Sequence, residues 1–125
     1  IPLYGDGKNI RDWLFVEDHI VALTRVMLKG EVGRSYCIGA GEIKSNNEIV
    51  EIVCQLLDCY IEQNKPHIRL RKYVNDRLGH DRRYALNFNR IQQELGWEPK
   101  YSFLEGIKIT VKWYLKNINW FIDKK

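Results

Sequence analysis

The sequence predicts an α/β fold with short strands interleaved with helices, in the order β-α-β-α-β-loop-α-α. Short runs rich in β-branched and aromatic residues predict the strands, and apolar residues at helical spacing predict the helices between them. Hydrophobic residues make up 45% of the 125 residues and charged residues 29%, which is the composition of an ordinary globular protein. No internal repeat or linker divides the chain, so we expect one unit over residues 1–125.

The first predicted helix follows a loop and a strand. Residues 1–9 contain a proline and two glycines and read as loop. The run RDWLFV at residues 11–16 is rich in β-formers and predicts a strand. Glu17 and Asp18 then place negative charge where it favours a helix N-terminus, and Gly30 ends the helix. The predicted apolar face of this helix comprises Ile20, Leu23, Thr24, Met27 and Leu28.

A second strand, a second helix and a third strand come next. SYCIG at residues 35–39 predicts a short strand, and Ser45 with Glu48 forms a capping-box pattern that begins a helix. Alternating apolar and basic residues at 68–74 predict a half-exposed strand. The apolar face of the helix between them comprises Ile49, Val53, Leu56, Leu57 and Tyr60.

Two helices follow the charged loop at residues 75–84. The first spans residues 88–95 and is closed by Gly96, at the position favoured for a left-handed cap. A second capping box, Ser102 with Glu105, begins the last and longest helix. Its predicted buried face comprises Phe103, Ile107, Val111, Tyr114 and Ile118.

Composition restricts the partners of the chain. The formal net charge of +4 permits an anionic ligand, but the basic residues are scattered rather than striped along one helix, which argues against nucleic acid. No run approaches the roughly 20 apolar residues of a membrane span, and no signal peptide is recognisable. The three cysteines form no CxxC pair and the histidines show no ligand spacing, so we expect no metal. Cys37 and Cys54 lie in apolar patterns that predict buried thiols in a reducing cytoplasm.

The turn IGAGEIK resembles a dinucleotide-binding fingerprint only superficially. That fingerprint needs a third glycine for close packing of helix on strand, and Lys44 occupies the position. Ser45 caps the following helix, so the helix N-terminus does not lie beside the glycines. We therefore interpret the stretch as a glycine-rich turn and not as a phosphate cradle.

The stretch YGDGK, residues 4–8, has the Tyr-x-x-x-Lys spacing of a catalytic pair. That chemistry requires both side chains on one helix face, one turn apart. Gly5 and Gly7 disfavour a helix here, because each glycine costs about 1 kcal/mol relative to alanine. We reject a catalytic role for this stretch.

The loop NDRLGHDRRY at residues 75–84 is the most informative stretch. Arginine guanidinium groups are planar forks of donors that suit phosphate oxygens, and Gly79 permits a turn that lets the backbone approach a ligand. The alternative is a solvated loop in which Asp76, Asp81 and the arginines pair with one another, each pair contributing only ~0–1 kcal/mol. No nucleophile is placed by spacing to His80. The loop alone leaves both interpretations open.

Three stretches together resemble a known enzyme family. PLYGDGKNIRDWLFVEDH at residues 2–19 and SYCIGAGEIKSNNEIV at residues 35–50 resemble the extended short-chain dehydrogenase/reductase enzymes that act on nucleotide sugars. The stretch from 76 to 115 is more specific, since Gly-His-Asp-Arg-Arg-Tyr and Glu-Leu-Gly-Trp are similar to the dTDP-glucose 4,6-dehydratases. Leu78 departs from that pattern, which has proline there, and Cys37 replaces an asparagine.

The resemblance implies a substrate site and its partners. It implies that Pro2, Tyr4 and Arg11 line the nucleotide side of the pocket, that Asn46 contacts the nucleotide, and that Arg77 and His80 face the diphosphate. The implied ligand is dTDP-glucose. Arg82 and Arg83 also match the family pattern, but the resemblance assigns them no contact with the ligand. A structural role in ion pairs is the alternative for both.

The resemblance also implies what this chain does not supply. It implies a Rossmann-type fold of which residues 1–125 form the C-terminal, nucleotide-sugar-binding portion, with no catalytic residue and no NAD-binding domain in the chain. The reaction implied is oxidation of the glucose C4 hydroxyl with NAD, loss of water across C5 and C6, and return of the hydride to C6. We expect the chain alone to be inactive, to expose apolar surface and to self-associate, whereas the full-length enzyme is implied to be a homodimer. Alternatives are a fragment of another nucleotide-sugar epimerase or decarboxylase, or a stand-alone nucleotide-binding module.

Overall fold

The computed structural model describes residues 1–122, and it confirms the α/β class. Four three-residue strands are interleaved with helices. The strands are β1 (Pro2–Tyr4), β2 (Ile10–Asp12), β3 (Ile43–Ser45) and β4 (Lys72–Val74). The helices are α1 (Val16–Lys29), α2 (Asn46–Tyr60), α3 (Asn89–Leu95), α4 (Phe103–Lys116) and α5 (Asn119–Ile122), with a 3-10 turn at His67–Leu70.

Two small sheets bring distant parts of the chain together. β1 pairs in parallel with β4, placing Leu3 opposite Tyr73. β2 pairs antiparallel with β3, placing Arg11 opposite Lys44. A parallel bridge between Ile10 and Arg83 adds the far end of the charged loop to β2. The segment joining β1 to β2, the start of α2 and the charged loop therefore share one region of the molecule.

The best-buried core lies between α1 and α3. Ala22, Ile91 and Trp97 are at most 1% exposed and pack together. The indole Nε1 of Trp97 donates to the Asp18 carbonyl at 3.2 Å, and the backbone N–H of Tyr101 donates to the Asp18 carboxylate at 3.0 Å. Burying an indole N–H without a partner would be costly, so these bonds allow the tryptophan to sit in the core.

The predicted helix ends are confirmed. The side chains of Ser45 and Ser102 accept hydrogen bonds from the backbone N–H groups of Glu48 and Glu105. In turn, the Glu48 and Glu105 side chains accept from the backbone N–H groups of the two serines. Gly96 ends α3 with φ of 62°, the left-handed conformation that glycine adopts at low cost. Local hydrogen bonding sets these boundaries, which is why the sequence predicts them.

The strands differ from prediction at several places, among them β3, which forms where the sequence predicted a glycine-rich turn and a helix cap. Residues 2–4 form β1 inside the predicted loop, and the strand predicted at 11–16 ends at Asp12 because α1 begins at Val16. Residues 68–74 divide into a 3-10 turn and β4. The turn forms because the backbone N–H and the ring Nδ1 of His67 both bond the Asp58 carboxylate.

Residues 35–39 are not a strand in the described part of the chain. Tyr36 and Ile38 pack against the core cluster through their side chains. No strand within residues 1–122 pairs with their backbone. An extended segment without a ladder partner is not a strand, so hydrophobic content alone misled the prediction.

The apolar face predicted on α1 is exposed, and the buried face predicted on α4 is wrong in part. On α1 the predicted apolar residues are exposed, among them Leu23 at 47% and Met27 at 77%, while Ala22 on the opposite side is buried. On α4 Tyr114 and Ile118 are exposed, and Phe103, Gly106 and Val111 form the buried set. Cys54 is buried as predicted, but Cys37 is exposed. Periodicity identifies an apolar face without identifying what covers it.

Within residues 1–122, the helices are all too short or too polar to span a bilayer.

Candidate functional site

The site is built where the charged loop, residues 75–84, meets β1 and β2. The backbone N–H of Gly5 donates to the Val74 carbonyl at 2.9 Å, which ties the start of the loop to the end of β1. At the other end Ile10 donates to the Arg82 carbonyl at 2.8 Å and Tyr84 donates to the Ile10 carbonyl at 3.0 Å. Both ends of the loop are thus fixed by main-chain hydrogen bonds, and the contacts of its middle part are made by side chains.

Arg11 is the best-held side chain of the site. Its Nη1 donates to the Ile10 carbonyl at 2.7 Å, and its Nη2 donates to the Asp81 carbonyl at 2.9 Å and to the His80 Nε2 at 3.0 Å. The guanidinium carbon also lies 5.0 Å from the centre of the Tyr84 ring, within cation–π range. Strand β2 and the charged loop therefore hold this cation in one place.

His80 links Arg11 to an acidic partner. Its side chain is 7% exposed, and its Nδ1 lies 2.7 Å from the Asp76 carboxylate. The ring meets the edge of Tyr4 with centroids 6.4 Å apart. Of the residues assigned through the resemblance, the structure thus brings Tyr4, Arg11 and His80 into contact.

The other assigned residues flank this cluster. Pro2 begins β1 and is exposed, and Asn46 is the first residue of α2, its backbone N–H donating to the Asn9 carbonyl at 3.0 Å. Arg77 is exposed, and its guanidinium has no hydrogen-bond partner among residues 1–122. Ligand contacts of these side chains stay a prediction.

Arg11 and Arg77 both affect the pKa of the Tyr84 hydroxyl. The hydroxyl of Tyr84 donates to the Asp81 carboxylate at 2.6 Å, which raises the pKa of Tyr84 through the hydrogen bond and the negative charge. The positive charges of Arg11 and Arg77 oppose that rise.

The acids of the loop do not pair with its own arginines. Asp76 contacts His80 and Asp81 contacts Tyr84, so the interpretation of a self-paired loop is wrong for the carboxylates. Arg82 pairs instead with Asp6, with bonds of 2.8 and 3.3 Å, as the ion-pair alternative predicted. That guanidinium, helped by the backbone N–H of Lys8, lowers the pKa of Asp6 to about 2.

Three contributors to the site were missed by sequence reasoning. Asn9 is 2% exposed, and its amide nitrogen lies 3.2 Å from the Asp81 carbonyl and 3.3 Å from the His80 Nδ1. Asp76 and Tyr84 are the other two. Asp76 stands four residues before His80, a spacing that could have suggested contact, whereas no sequence signal marks Asn9.

The two glycine-containing turns at residues 4–8 and 39–41 do not have the geometry of the catalytic and cofactor motifs that they resemble in sequence. Gly5 and Gly7 have φ of 59° and 68°, so the stretch 4–8 is a left-handed turn and not a helix, as predicted. In the turn at 39–41, a side chain on Gly39 would meet the Asp12 carboxylate at 2.5 Å, and Asp12 also accepts from the Ala40 N–H. A carboxylate at this place repels a pyrophosphate, so this turn does not fit NAD.

An apolar groove of about 580 Å³ lies elsewhere, between the segment before α1 and helix α4. Its lining is rich in aromatic residues, among them Trp13, Phe15, Tyr101, Phe103 and Trp113. Among residues 1–122 no arginine lines this groove, so it offers no guanidinium to an anion. Within residues 1–122 no group of three His, Cys, Asp or Glu side chains is arranged to hold a metal ion.

Comparison with known proteins assigns the family. The family model described as GDP-mannose 4,6 dehydratase matches residues 1–110. The chain belongs to this family. A dTDP-glucose 4,6-dehydratase from Xanthomonas campestris pv. campestris (strain B100) is 49% identical over 122 residues, which cover 96% of this chain and 35% of the relative. The resemblance that the charged loop and its flanking motifs indicated is thereby confirmed.

Solved structures of family relatives confirm the Rossmann-type assignment of the fold. The dTDP-glucose 4,6-dehydratase from Bacillus anthracis, in complex with NAD, superimposes with a TM-score of 0.82 at 48% identity over 95% of this chain. The enzyme of that name from Streptomyces venezuelae, also with NAD bound, gives 0.86 at 38% identity over 96% of the chain. This chain spans about a third (35%) of the length of each.

Proposed function

We propose that residues 1–125 form the nucleotide-sugar-binding portion of a dTDP-glucose 4,6-dehydratase. The observation that supports the proposal most strongly is the cation held between β2 and the charged loop. Arg11 on β2 is fixed by protein contacts before any ligand arrives, and the exposed Arg77 belongs to the charged loop that holds it. Relatives at up to 49% identity carry the name of this enzyme, which adds support from outside the site.

Arg11 retains donors for a ligand. A guanidinium has five N–H groups, and Arg11 uses three of them on Ile10, Asp81 and His80. The Nε–H and one Nη1–H are left to bind phosphate oxygens. Because the side chain is already ordered, little rotamer entropy is lost when an anion binds, whereas Arg77 must be ordered by the ligand.

The remaining assigned residues suit the nucleoside end. In the proposal, Pro2 and the exposed ring of Tyr4 line the base side, and Tyr4 provides an aromatic face for stacking. The side-chain amide of Asn46 both donates and accepts, as a base edge requires. Asn46 also stands at the N-terminus of α2, where the helix dipole favours negative charge.

NAD is proposed to bind outside residues 1–125. When bound, it supplies hydride transfer at the sugar. The residues described here bind the nucleotide and diphosphate and hold them in one orientation. The chain alone is therefore proposed not to convert dTDP-glucose, and NAD-dependent formation of the 4-keto product by it would contradict this division.

Calorimetric titration of the chain tests the proposal. Thymidine 5′-diphosphate should bind saturably, inorganic pyrophosphate should bind more weakly, and uridine 5′-diphosphate measures base preference. Equal affinities for pyrophosphate and thymidine 5′-diphosphate would show that the chain does not bind the nucleoside. Tighter binding of the uridine nucleotide would favour a different nucleotide-sugar enzyme, and absence of binding would refute the proposal.

A further inference from the structure

We propose that Asp76 is a positioning residue that holds Arg11 ready for the diphosphate by fixing the tautomer of His80. The inference rests on the proposed function for the identity of the ligand. The contacts that carry it are independent of any ligand: Asp76 to His80 at 2.7 Å and His80 to Arg11 at 3.0 Å.

The arginine decides which nitrogen of the ring carries the hydrogen. A guanidinium can only donate, so the His80 Nε2 beside Arg11 must be the unprotonated acceptor. In a neutral imidazole the hydrogen is then on Nδ1, which donates to the Asp76 carboxylate. Asn9 cannot donate to a protonated Nδ1, and its amide N–H has the Asp81 carbonyl at 3.2 Å instead.

Asp76 is itself held in place. Its Oδ1 accepts the backbone N–H of Arg77 at 2.9 Å. Its Oδ2 lies so close to Gly5 that a side chain there would come within 2.8 Å of it, and Gly5 also has a positive φ of 59°. The glycine of the first turn thus provides the space in which the carboxylate of the charged loop stands. This contact explains why the turn and the loop belong to one site.

Without Asp76, the ring loses the acceptor that selects this tautomer. An Nε2–H tautomer would point a hydrogen at the Arg11 guanidinium, setting donor against donor. Arg11 would keep its carbonyl bonds to Ile10 and Asp81 but lose its third anchor. An asparagine at position 76 keeps an acceptor oxygen, so it should preserve the tautomer.

Long-range ¹H–¹⁵N correlation spectra of the ¹⁵N-labelled chain report which ring nitrogen is protonated. The measurement is made where the imidazoles are neutral, with His80→Gln to assign the signal. Wild type and Asp76→Asn should show His80 with the hydrogen on Nδ1. Asp76→Ala should move it toward Nε2, and Gly5→Ala should do the same because it displaces the carboxylate. Asp6→Asn, which removes a carboxylate of the neighbouring turn that contacts Arg82 and not His80, is the matched control and should leave the His80 tautomer unchanged.

Titration with thymidine 5′-diphosphate gives the second readout. Asp76→Ala should weaken binding roughly tenfold, the equivalent of about one hydrogen bond, and Asp76→Asn should stay near wild type. An unchanged His80 tautomer in Asp76→Ala would overturn the proposal, and so would a shifted tautomer with unchanged affinity. If wild type does not bind the nucleotide, the proposed function fails, while the tautomer spectra still decide whether Asp76 fixes the tautomer of His80.

Discussion

Replacing Arg11 and Arg77 separately by alanine should give two different phenotypes. Arg11→Ala removes three hydrogen bonds, to the carbonyls of Ile10 and Asp81 and to the His80 ring, and the contact over the Tyr84 ring. At about 1 kcal/mol for each bond and about 0.5–1 kcal/mol for the ring contact, the free energy of unfolding should fall by about 3.5–4 kcal/mol. At about 4 °C per kcal/mol for a chain of this size, Tm should fall by roughly 14–16 °C.

Arg77→Ala should leave stability nearly unchanged. Its guanidinium bonds nothing within residues 1–122, and exposed substitutions of this kind stay within about 0.5 kcal/mol. Both variants should lose affinity for thymidine 5′-diphosphate, because a hydrogen bond from a charged group contributes about 1.5–3 kcal/mol, which is roughly 10- to 150-fold. Arg11→Ala should therefore lose both properties and Arg77→Ala only one.

Thermal unfolding and calorimetric titration of the same samples measure the two effects. Arg83→Ala is the matched control, because it removes the same charge from an exposed residue of the same loop. It should retain wild-type Tm and lose little affinity. Equal losses of affinity in Arg77→Ala and Arg83→Ala would mean that net charge attracts the nucleotide, and the idea of a two-arginine clamp would then be wrong.

Three further predictions concern the fold and its surfaces. Ile91→Ala opens a cavity at a fully buried position, so the free energy of unfolding by denaturant should fall by about 2–5 kcal/mol. Leu104→Ala on the surface should lower it by less than about 0.5 kcal/mol. Equal losses in the two variants would show that Ile91 is not part of the core. Arg82→Ala should raise the pKa of Asp6 from about 2 toward 3.8, measured by NMR titration of the carboxyl carbon. Because the pKa of Asp6 is lower in the folded chain than in the unfolded chain, the stabilisation from the Asp6–Arg82 pair is present above pH 3.8 and is lost as pH falls toward 2. An Asp6 pKa that does not move in Arg82→Ala would show that Arg82 is not the cause of the shift. Leu23→Glu on the exposed face of α1 should reduce concentration-dependent association in sedimentation experiments, and a wild-type chain that stays monomeric at all concentrations would contradict this.

The helices were predictable because their ends are decided locally. Ser45 with Glu48 and Ser102 with Glu105 satisfy free amides within one turn, and Gly96 closes α3 by its own conformation. Strands need partners, and the partners here are remote in sequence. β1 pairs with β4 on the far side of α2, so nothing near residues 2–4 in the sequence indicates a strand there, whereas the alternating pattern at residues 68–74 did predict the strand that contains β4.

The site was predictable only as a set of residues. The resemblance suggested Tyr4, Arg11 and His80, and the structure brings these three into contact. The four-residue spacing of Asp76 and His80 could have suggested their contact, but the space that Gly5 provides for the Asp76 carboxylate depends on the path of the charged loop and could not be predicted. Similarly, the apolar face of α1 is visible in the sequence, but its exposure is not.

Amide chemical-shift mapping of the ¹⁵N-labelled chain during titration with thymidine 5′-diphosphate tests the nucleotide site most directly. Saturable shifts should concentrate in residues 2–11, at the start of α2 and in residues 76–84, and should vanish in Arg11→Ala. Shifts centred on the apolar groove between Phe15 and α4, or no saturable shifts at all, would contradict a nucleotide-diphosphate site at the charged loop.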